Sequence, residues 1–156
     1  MKPISEQMNK FQSLIPFLES LRSISQEQWT TPIKTGKWST RDIVAHLLLW
    51  DRYFGTEAIS KIAAGDPVTV KHLDFDAFNK NALDYALTIG HNELIDQAIA
   101  ERELIIRQIE QFSDKVVIHE YIDGDGNVFC ISNYLVDFAD HDSHHRGQIE
   151  LFMKEF

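Results

Sequence analysis

The sequence has 156 residues, of which 44% are apolar and 11% aromatic, and it carries a formal net charge of −9 at pH 7. This is enough material for one hydrophobic core, so we expect a single domain over residues 1–156. The negative charge and the lack of a lysine and arginine cluster argue against binding to nucleic acid or to an anionic membrane, because basic surfaces provide most of that affinity.

The longest apolar stretches, such as residues 43–50, fall far short of the roughly 20 apolar residues that a membrane span needs. The first seven residues are polar where a signal peptide needs an apolar segment, so we expect a cytoplasmic protein. The single cysteine, Cys130, cannot form an intramolecular disulfide or a thiolate metal cluster. Any bound metal must therefore be held by histidines and carboxylates.

The first helix is predicted over residues 4–24, where apolar side chains recur at spacings of three and four. Pro16 lies inside this pattern. We expect a kink or a local break there, because the proline ring removes a backbone donor and clashes with the preceding turn. Ser25 and Gln28 have the spacing of a capping box, which predicts a short helical turn that ends before residues 31–32.

The second helix is predicted to begin after Ser39. The Ser39 hydroxyl can accept from the amide of Asp42, while the Asp42 carboxylate can reach back to the first turn. The helix should run to about Ala64 and end at Gly65. Its inward stripe contains a histidine in line with apolar residues: Ile43, His46, Leu47, Trp50, Phe54, Ile59 and Ile62.

Two further helices are predicted over residues 74–86 and 92–112. A continuous helix across both would exceed about 50 Å, so we expect an interruption near Gly90. Between residues 115 and 131 the pattern changes to two short apolar runs, 116–118 and 128–131, on either side of a turn. This predicts a short hairpin or an extended loop, too small to make the protein α/β.

The turn contains Asp123, Asp125 and Asn127, which match the first three ligand positions of an EF-hand calcium loop. The sixth position is Val128, where that loop needs a glycine for its sharp turn. The twelfth is Tyr134, where a bidentate glutamate belongs. A hairpin turn is therefore the better explanation of this segment.

The last helix is predicted to begin at Ser132 as N-cap and to reach the C-terminus. Its residues at core spacing again include histidines: Leu135, Phe138, His141, His145, Ile149 and Phe152. The pattern as a whole predicts an all-α helical bundle with the short hairpin or loop just before its last helix.

The histidines on these inward stripes are the candidate metal ligands. His141 and His145 are four residues apart, so their imidazoles can converge on one ion. Each replaces an apolar residue at an inward step, where an unpaired imidazole would cost about 1–3 kcal/mol. His46, in the stripe of the second helix, is the natural third ligand. The alternative is that each histidine hydrogen-bonds separately to a carbonyl or carboxylate.

His144 is rotated by about 100° from His145, so we expect it off the seam, on an interface or on the rim of the site. The remaining histidines fall in predicted loops or helix ends and are expected to be solvated: His72, His91 and His119. Asp137 and Gln148 lie about one turn from candidate ligands and could hydrogen-bond their ring nitrogens. A solvated helix face explains these two positions equally well.

Two segments resemble the DinB/YfiT-like superfamily of four-helix-bundle metalloenzymes. The first is Gly36-Lys37-Trp38-Ser39 leading into Ala45-His46-Leu47. The second is His141-Asp142-Ser143-His144-His145-Arg146-Gly147-Gln148-Ile149, the more specific of the two. The resemblance covers essentially the whole chain. It implies an up-down-down-up four-helix bundle with a nickel or zinc ion on His46, His141 and His145.

Characterised members of the superfamily that the sequence resembles include transferases of low-molecular-weight thiols such as bacillithiol, a thiol-dependent isomerase and hydrolases. The first hypothesis is therefore an enzyme, a thiol S-transferase or hydrolase of small electrophilic compounds. Three neutral imidazoles would leave open positions on the ion, where a thiol would bind as thiolate or a water would be acidified. The catalytic group would then be the metal-bound water or thiolate, and no protein side chain can be assigned as base.

Trp50 and Tyr53, one and two turns beyond His46, are candidate walls of a substrate cavity, although ordinary core packing explains each of them as well. The second hypothesis is a non-catalytic, stress-related metal-binding bundle in which the ion holds the helices together. The expected partners are a small-molecule substrate, a low-molecular-weight thiol among the candidates, and a second copy of the chain in a homodimer.

Overall fold

The first helical segment is interrupted, as its proline predicts. This computed structural model describes residues 4–156, so residues 1–3 of the polar N-terminal stretch lie outside the described residues. The segment consists of α1 (Ile4–Gln12), α2 (Leu14–Ser20) and a 3-10 turn over Leu21–Ser23. The break at Ser13 places Pro16 in the first turn of α2, where a backbone N–H would have no helical acceptor.

Both predicted capping boxes are present. Ser25 and Gln28 cap α3 (Gln26–Thr30), and Ser39 and Asp42 cap α4 (Thr40–Phe54). A π-helical turn over Gly55–Ile59 joins α4 to α5 (Ser60–Ala64). The predicted end of this second helical segment is confirmed, since Gly65 adopts the left-handed conformation, with φ of +76°, that residues with a side chain rarely adopt.

The next two helices are also confirmed, with boundaries shifted by one or two residues. Asp74 caps α6 (Phe75–Ala86), its carboxylate accepting from the amide of Ala77. Gly90 is the N-cap of α7 (His91–Glu110), so the chain is interrupted at the predicted place.

Two predictions for the segment that leads into the last helix need correction. The apolar run 116–118, predicted as extended, lies in the short helix α8 (Asp114–Ile118), because the Ser113 hydroxyl caps it by accepting from the amide of Val116. The hairpin itself is confirmed, with β1 (Tyr121–Ile122) antiparallel to β2 (Val128–Phe129). Asp123 Oδ1 accepts from two amides in its turn.

The second correction concerns the start of the last helix, α9 (Ile131–Glu155). Cys130 is its N-cap residue, and Ser132 lies inside the first turn, so the prediction of Ser132 as N-cap was wrong. The Ser132 side chain is buried and donates to Gln7 Oε1 at 3.1 Å instead. The Ser132 hydroxyl is thus used in a tertiary hydrogen bond and does not cap the helix.

Contacts between the long helices establish their directions. Asp51 contacts Arg102, and further along Ser60 contacts Gln108, so α4–α5 and α7 run parallel. In the same way, Gln7 contacts Ser132, and the Arg146 guanidinium lies 5.0 Å from the Phe17 ring, so α1–α2 and α9 run parallel.

The two pairs run in opposite directions. The ring of Phe54 packs against that of Tyr134, whereas His46, earlier in α4, meets His145, later in α9. The bundle is therefore the expected all-α, up-down-down-up four-helix bundle, with α6 packed against α4. Two adjoining groups of buried side chains fill it. Within residues 4–156, no helix combines the length and the hydropathy that crossing a membrane requires.

Candidate metal centre

Three histidine side chains meet between α4 and α9. His46 lies in the middle of α4, and His141 and His145 lie one turn apart on α9, so the antiparallel packing of the two helices brings all three together. His46 and His145 are buried, and His141 is half-buried.

The Nε2 atoms of the three rings point at one another. Nε2 of His141 lies 3.2 Å from Nε2 of His46 and 3.2 Å from Nε2 of His145. Ligand nitrogens at 2.0–2.1 Å from a tetrahedral zinc ion are separated by about 3.3 Å. These two separations match those of donors around one divalent ion, and the three ligand atoms all lie within 4.8 Å of one another, so they could hold an ion between them.

The ring of His46 is oriented by Asn79 on α6. Oδ1 of Asn79 lies 2.9 Å from His46 Nδ1 and accepts from the indole N–H of Trp50 at 3.3 Å. Because an indole nitrogen can only donate, this atom of Asn79 is the oxygen, and an amide oxygen can only accept. His46 Nδ1 therefore carries the proton, and its Nε2 presents a bare lone pair to the cluster.

His145 has a similar partner. Its Nδ1 lies 2.9 Å from Oε1 of Gln148, one turn away on α9, so Nδ1 donates and Nε2 is again a lone pair. His141 can direct one Nε2 proton at one of these two lone pairs and leaves the other without a donor. Its Nδ1 is buried without a hydrogen-bond partner. The three Nε2 atoms therefore have too few protons to satisfy one another by hydrogen bonds, and a cation would satisfy their lone pairs.

The electrostatic surroundings keep the cluster uncharged at neutral pH. Burial is the main cause and lowers the pKa of His46 to about 3 and that of His145 to about 4, and the neighbouring imidazoles add to the effect. Burial likewise lowers the pKa of His141. Neutral imidazoles are the form that binds metal ions, so the ligands need not lose protons first.

Trp38, from the turn before α4, packs over the cluster. Its ring centroid is 4.9 Å from that of His46 and 6.3 Å from that of His145. Trp50 approaches His46 edge-on at 6.5 Å. The two indoles shield the histidines from water, which accounts for part of the desolvation that lowers their pKa values.

A cavity of about 400 Å³ opens beside His46 and His141. Trp50 lines it, whereas Tyr53 lies outside the lining and hydrogen-bonds both backbone groups of Lys71. Asp137 lies on the cavity lining with an exposed side chain. It makes no hydrogen bond to a histidine ring in the part of the chain that the structure describes.

Behind the histidines, a buried arginine joins the two ligand-bearing helices. Arg102 on α7 is 0% exposed and lies 2.8 Å from Asp51 on α4 and 2.7 Å from Asp142 on α9. Burial raises the pKa of both carboxyl groups, and the arginine opposes that rise. Asp142 adjoins His141 in sequence, so this ion network fixes α9 relative to α4 at the level of the site.

The remaining histidines do not join the cluster. His144, His72 and His119 are exposed, as expected. His91 is not the solvated residue that was predicted. It is half-buried, stacks on Trp29 at 4.0 Å and hydrogen-bonds the carbonyl of Leu21 at 2.9 Å, because the start of α7 packs against the end of the first helical segment.

Sequence reasoning missed two residues of this region. Asn79 gives no signal, since a polar residue in an amphipathic helix is ordinary. Arg102 does give a signal in the sequence, because it occupies an inward position of α7 between Ile99 and Ile105, which are both buried. A charged residue on a core stripe predicts a buried counter-charge.

The model of the DinB superfamily matches residues 16–149 of the sequence. No curated protein matches the chain. Among solved structures, the fold is similar to YfiT from Bacillus subtilis, described as a probable metal-dependent hydrolase with an unusual four-helix bundle topology. The TM-score is 0.76 at 14% sequence identity, and the match covers 97% of this chain and 86% of YfiT.

A second similar structure is the mycothiol-dependent maleylpyruvate isomerase, with a TM-score of 0.73 at 12% identity. The match covers 95% of this chain but spans only 61% of the isomerase. At these identities the likeness to both structures shows a shared fold.

Proposed function

Because the chain belongs to the DinB superfamily, we propose that it is a metal-dependent enzyme acting on small electrophilic compounds, as a thiol S-transferase of the bacillithiol type or as a hydrolase. His46, His141 and His145 would hold the divalent ion, Zn²⁺ or Ni²⁺. The observation that carries the proposal is the convergence of their Nε2 atoms at 3.2 Å beside an open cavity.

The number of donors favours a catalytic ion over a structural one. Structural zinc sites usually close with four protein ligands, whereas catalytic sites keep a position open. Within the described residues, the group that could hold an ion contains three histidines and no fourth ligand. A divalent ion held there would supply Lewis-acid chemistry, lowering the pKa of a thiol or a water that binds it.

The protein's own residues would prepare the site for that chemistry. Asn79 and Gln148 hold two of the rings in the tautomer that directs Nε2 at the ion. Trp38 covers the cluster and Trp50 lines the adjoining cavity, so both exclude water from the place where a substrate would meet the ion.

One similar structure is named as a probable metal-dependent hydrolase, which supports hydrolysis, and the other as a mycothiol-dependent isomerase, which supports the use of a low-molecular-weight thiol. The non-catalytic alternative is a stress-related bundle in which the ion is structural. A purely structural ion would not explain the cavity beside the histidines.

The test is an assay of zinc- or nickel-loaded protein with bacillithiol, mycothiol, glutathione or cysteine and a generic electrophile such as monochlorobimane. A parallel assay with p-nitrophenyl acetate and no thiol measures hydrolysis. Activity should be lost in His145→Ala and kept in the matched variant His144→Ala, whose side chain is exposed. Equal rates for wild type, His145→Ala and buffer in both assays would favour the structural alternative.

A cytoplasmic location and a homodimer remain predictions. Light scattering of the purified protein would test the second of them directly.

A further inference from the structure

The cavity beside the histidines has mostly aromatic walls. We call it the aromatic cavity; its four aromatic wall residues are Trp50, Phe54, Phe75 and Phe138. The rings of Phe54 and Phe138 are 4.9 Å apart and those of Trp50 and Phe75 are 5.6 Å apart, both pairs edge to face. Its volume of about 400 Å³ falls in the usual range for small-molecule sites.

The wall of the aromatic cavity is mostly apolar. Asn79 lines the cavity, but its Oδ1 already faces His46 Nδ1 and accepts from the Trp50 indole. The body of a ligand would therefore be held by contact with rings, which favours a planar apolar group that can stack or meet them edge-on.

Asp137 adds one charge to the lining. It is the only acidic side chain among the residues that line the cavity in the described part of the chain, where no lysine or arginine joins it. Its side chain is exposed and takes part in no hydrogen bond or ion pair within residues 4–156. An unpaired carboxylate at the mouth of an apolar cavity attracts a cation and repels a second carboxylate.

We propose that the aromatic cavity binds the planar aromatic part of the substrate, that it prefers compounds whose outer end is neutral or positively charged over carboxylates, and that Asp137 sets this preference. The claim that the occupant is a substrate rests on the proposed function. The claim about binding and charge preference stands on the cavity alone.

Three probes of similar shape test the preference: 2-phenylethylamine, 2-phenylethanol and 3-phenylpropionate. Their dissociation constants are measured by calorimetry on zinc-loaded protein and on protein held in a chelator, because an ion on His46 and His141 would add positive charge to the same cavity. In chelator we expect the amine to bind about tenfold more tightly than the propionate, or more. In zinc-loaded protein the charge of the ion favours the propionate, so there only the change of the ratio between wild type and variant is compared. Asp137→Asn should reduce the ratio of the two constants by about threefold or more.

Asp140→Asn is the matched control, since Asp140 is also exposed on α9 but does not line the cavity, and it should leave the ratio unchanged. Phe138→Ala should weaken all three probes, whereas Phe152→Ala, on the same helix and away from the cavity, should not. Equal ratios in wild type and Asp137→Asn, or no effect of Phe138→Ala on any probe, would overturn the inference.

These measurements use neither a thiol nor turnover, so the two proposals fail separately. Charge-selective binding with no thiol consumption and no ester hydrolysis would retain the aromatic cavity as a binding site and reject the enzyme. Thiol transfer with no effect of Asp137→Asn on probe binding would retain the enzyme and reject the charge preference.

Discussion

Nδ1 of His46 lies 2.9 Å from Oδ1 of Asn79, a residue 33 positions further along the chain and on a different helix. The indole of Trp50 donates to the same oxygen, so the orientation of the amide, the tautomer of the imidazole and the direction of the Nε2 lone pair are all determined by one contact.

Asn79→Leu should weaken metal binding by about 10- to 100-fold, because His46 loses the acceptor that keeps its proton on Nδ1. A titration against a chelator of known affinity measures the change. Asn79→Asp keeps an oxygen acceptor and should retain most of the affinity. Asn81→Ala, an exposed change on the same helix, serves as the control. Unchanged affinity in Asn79→Leu would contradict the role assigned to this contact.

Metal analysis of gently purified protein should find about one Zn²⁺ or Ni²⁺ per chain. His141→Ala and His145→Ala should abolish tight binding, because either change removes a Nε2 donor from a site with three. His144→Ala should leave the metal content unchanged. Equal metal content in wild type and in both cluster variants would show that these histidines do not form the site.

His46→Ala should lower thermal stability more in the metal-loaded state than in the presence of a chelator, because binding to the folded form stabilises it by mass action. If His46 were only a hydrogen-bonded core residue, the loss would be about 1–3 kcal/mol in both states. Melts of wild type and variant with chelator and with added Zn²⁺ distinguish the two. Parallel shifts would remove His46 from the metal site.

Acid should destabilise the metal-free protein through its histidines. His46, with a pKa of about 3, and His145, with a pKa of about 4, stay neutral when folded. In the unfolded chain both bind a proton below about pH 6.5. The unfolded state therefore gains protons first, and stability falls as pH drops from about 6.5 towards 4.

Urea midpoints at pH 7.5 and 4.5 in chelator measure this loss. The pH-dependent part should be smaller in His46→Gln by about 2 kcal/mol, because one of the depressed groups is gone. The wild-type and variant curves share every carboxyl group, so their difference isolates the histidine. If the loss of stability between the two pH values were the same in wild type and His46→Gln, the lowered pKa of His46 would be refuted.

Arg102→Met should destabilise the fold by about 3–5 kcal/mol, because it leaves the buried carboxylates of Asp51 and Asp142 without their counter-charge. Urea denaturation in chelator measures the loss. Arg107→Met, on the same helix with an exposed ion pair, should have little effect. A similar, small effect of both changes would mean that the ion network does not hold α4, α7 and α9 together.

Local features were predictable from the sequence, because the interacting groups lie within one helical turn. The capping boxes at Ser25 and Ser39, the end at Gly65 and the i, i+4 pair His141 and His145 are of this kind. The interpretation of the run 116–118 as extended was also local and was wrong, since β-branched residues suggest a strand while a single cap at Ser113 is enough for one helical turn.

The sequence by itself therefore determined the long helices, their inward faces and the presence of histidines on two of those faces. Only the tertiary structure decided which groups meet: Asn79 with His46, Arg102 with two carboxylates, Asp137 with a cavity and Ser132 with Gln7. The reason is physical. Periodicity reports that a side chain faces the core, but the partner it finds there depends on how the helices cross, and that is set by the packing of all of them together.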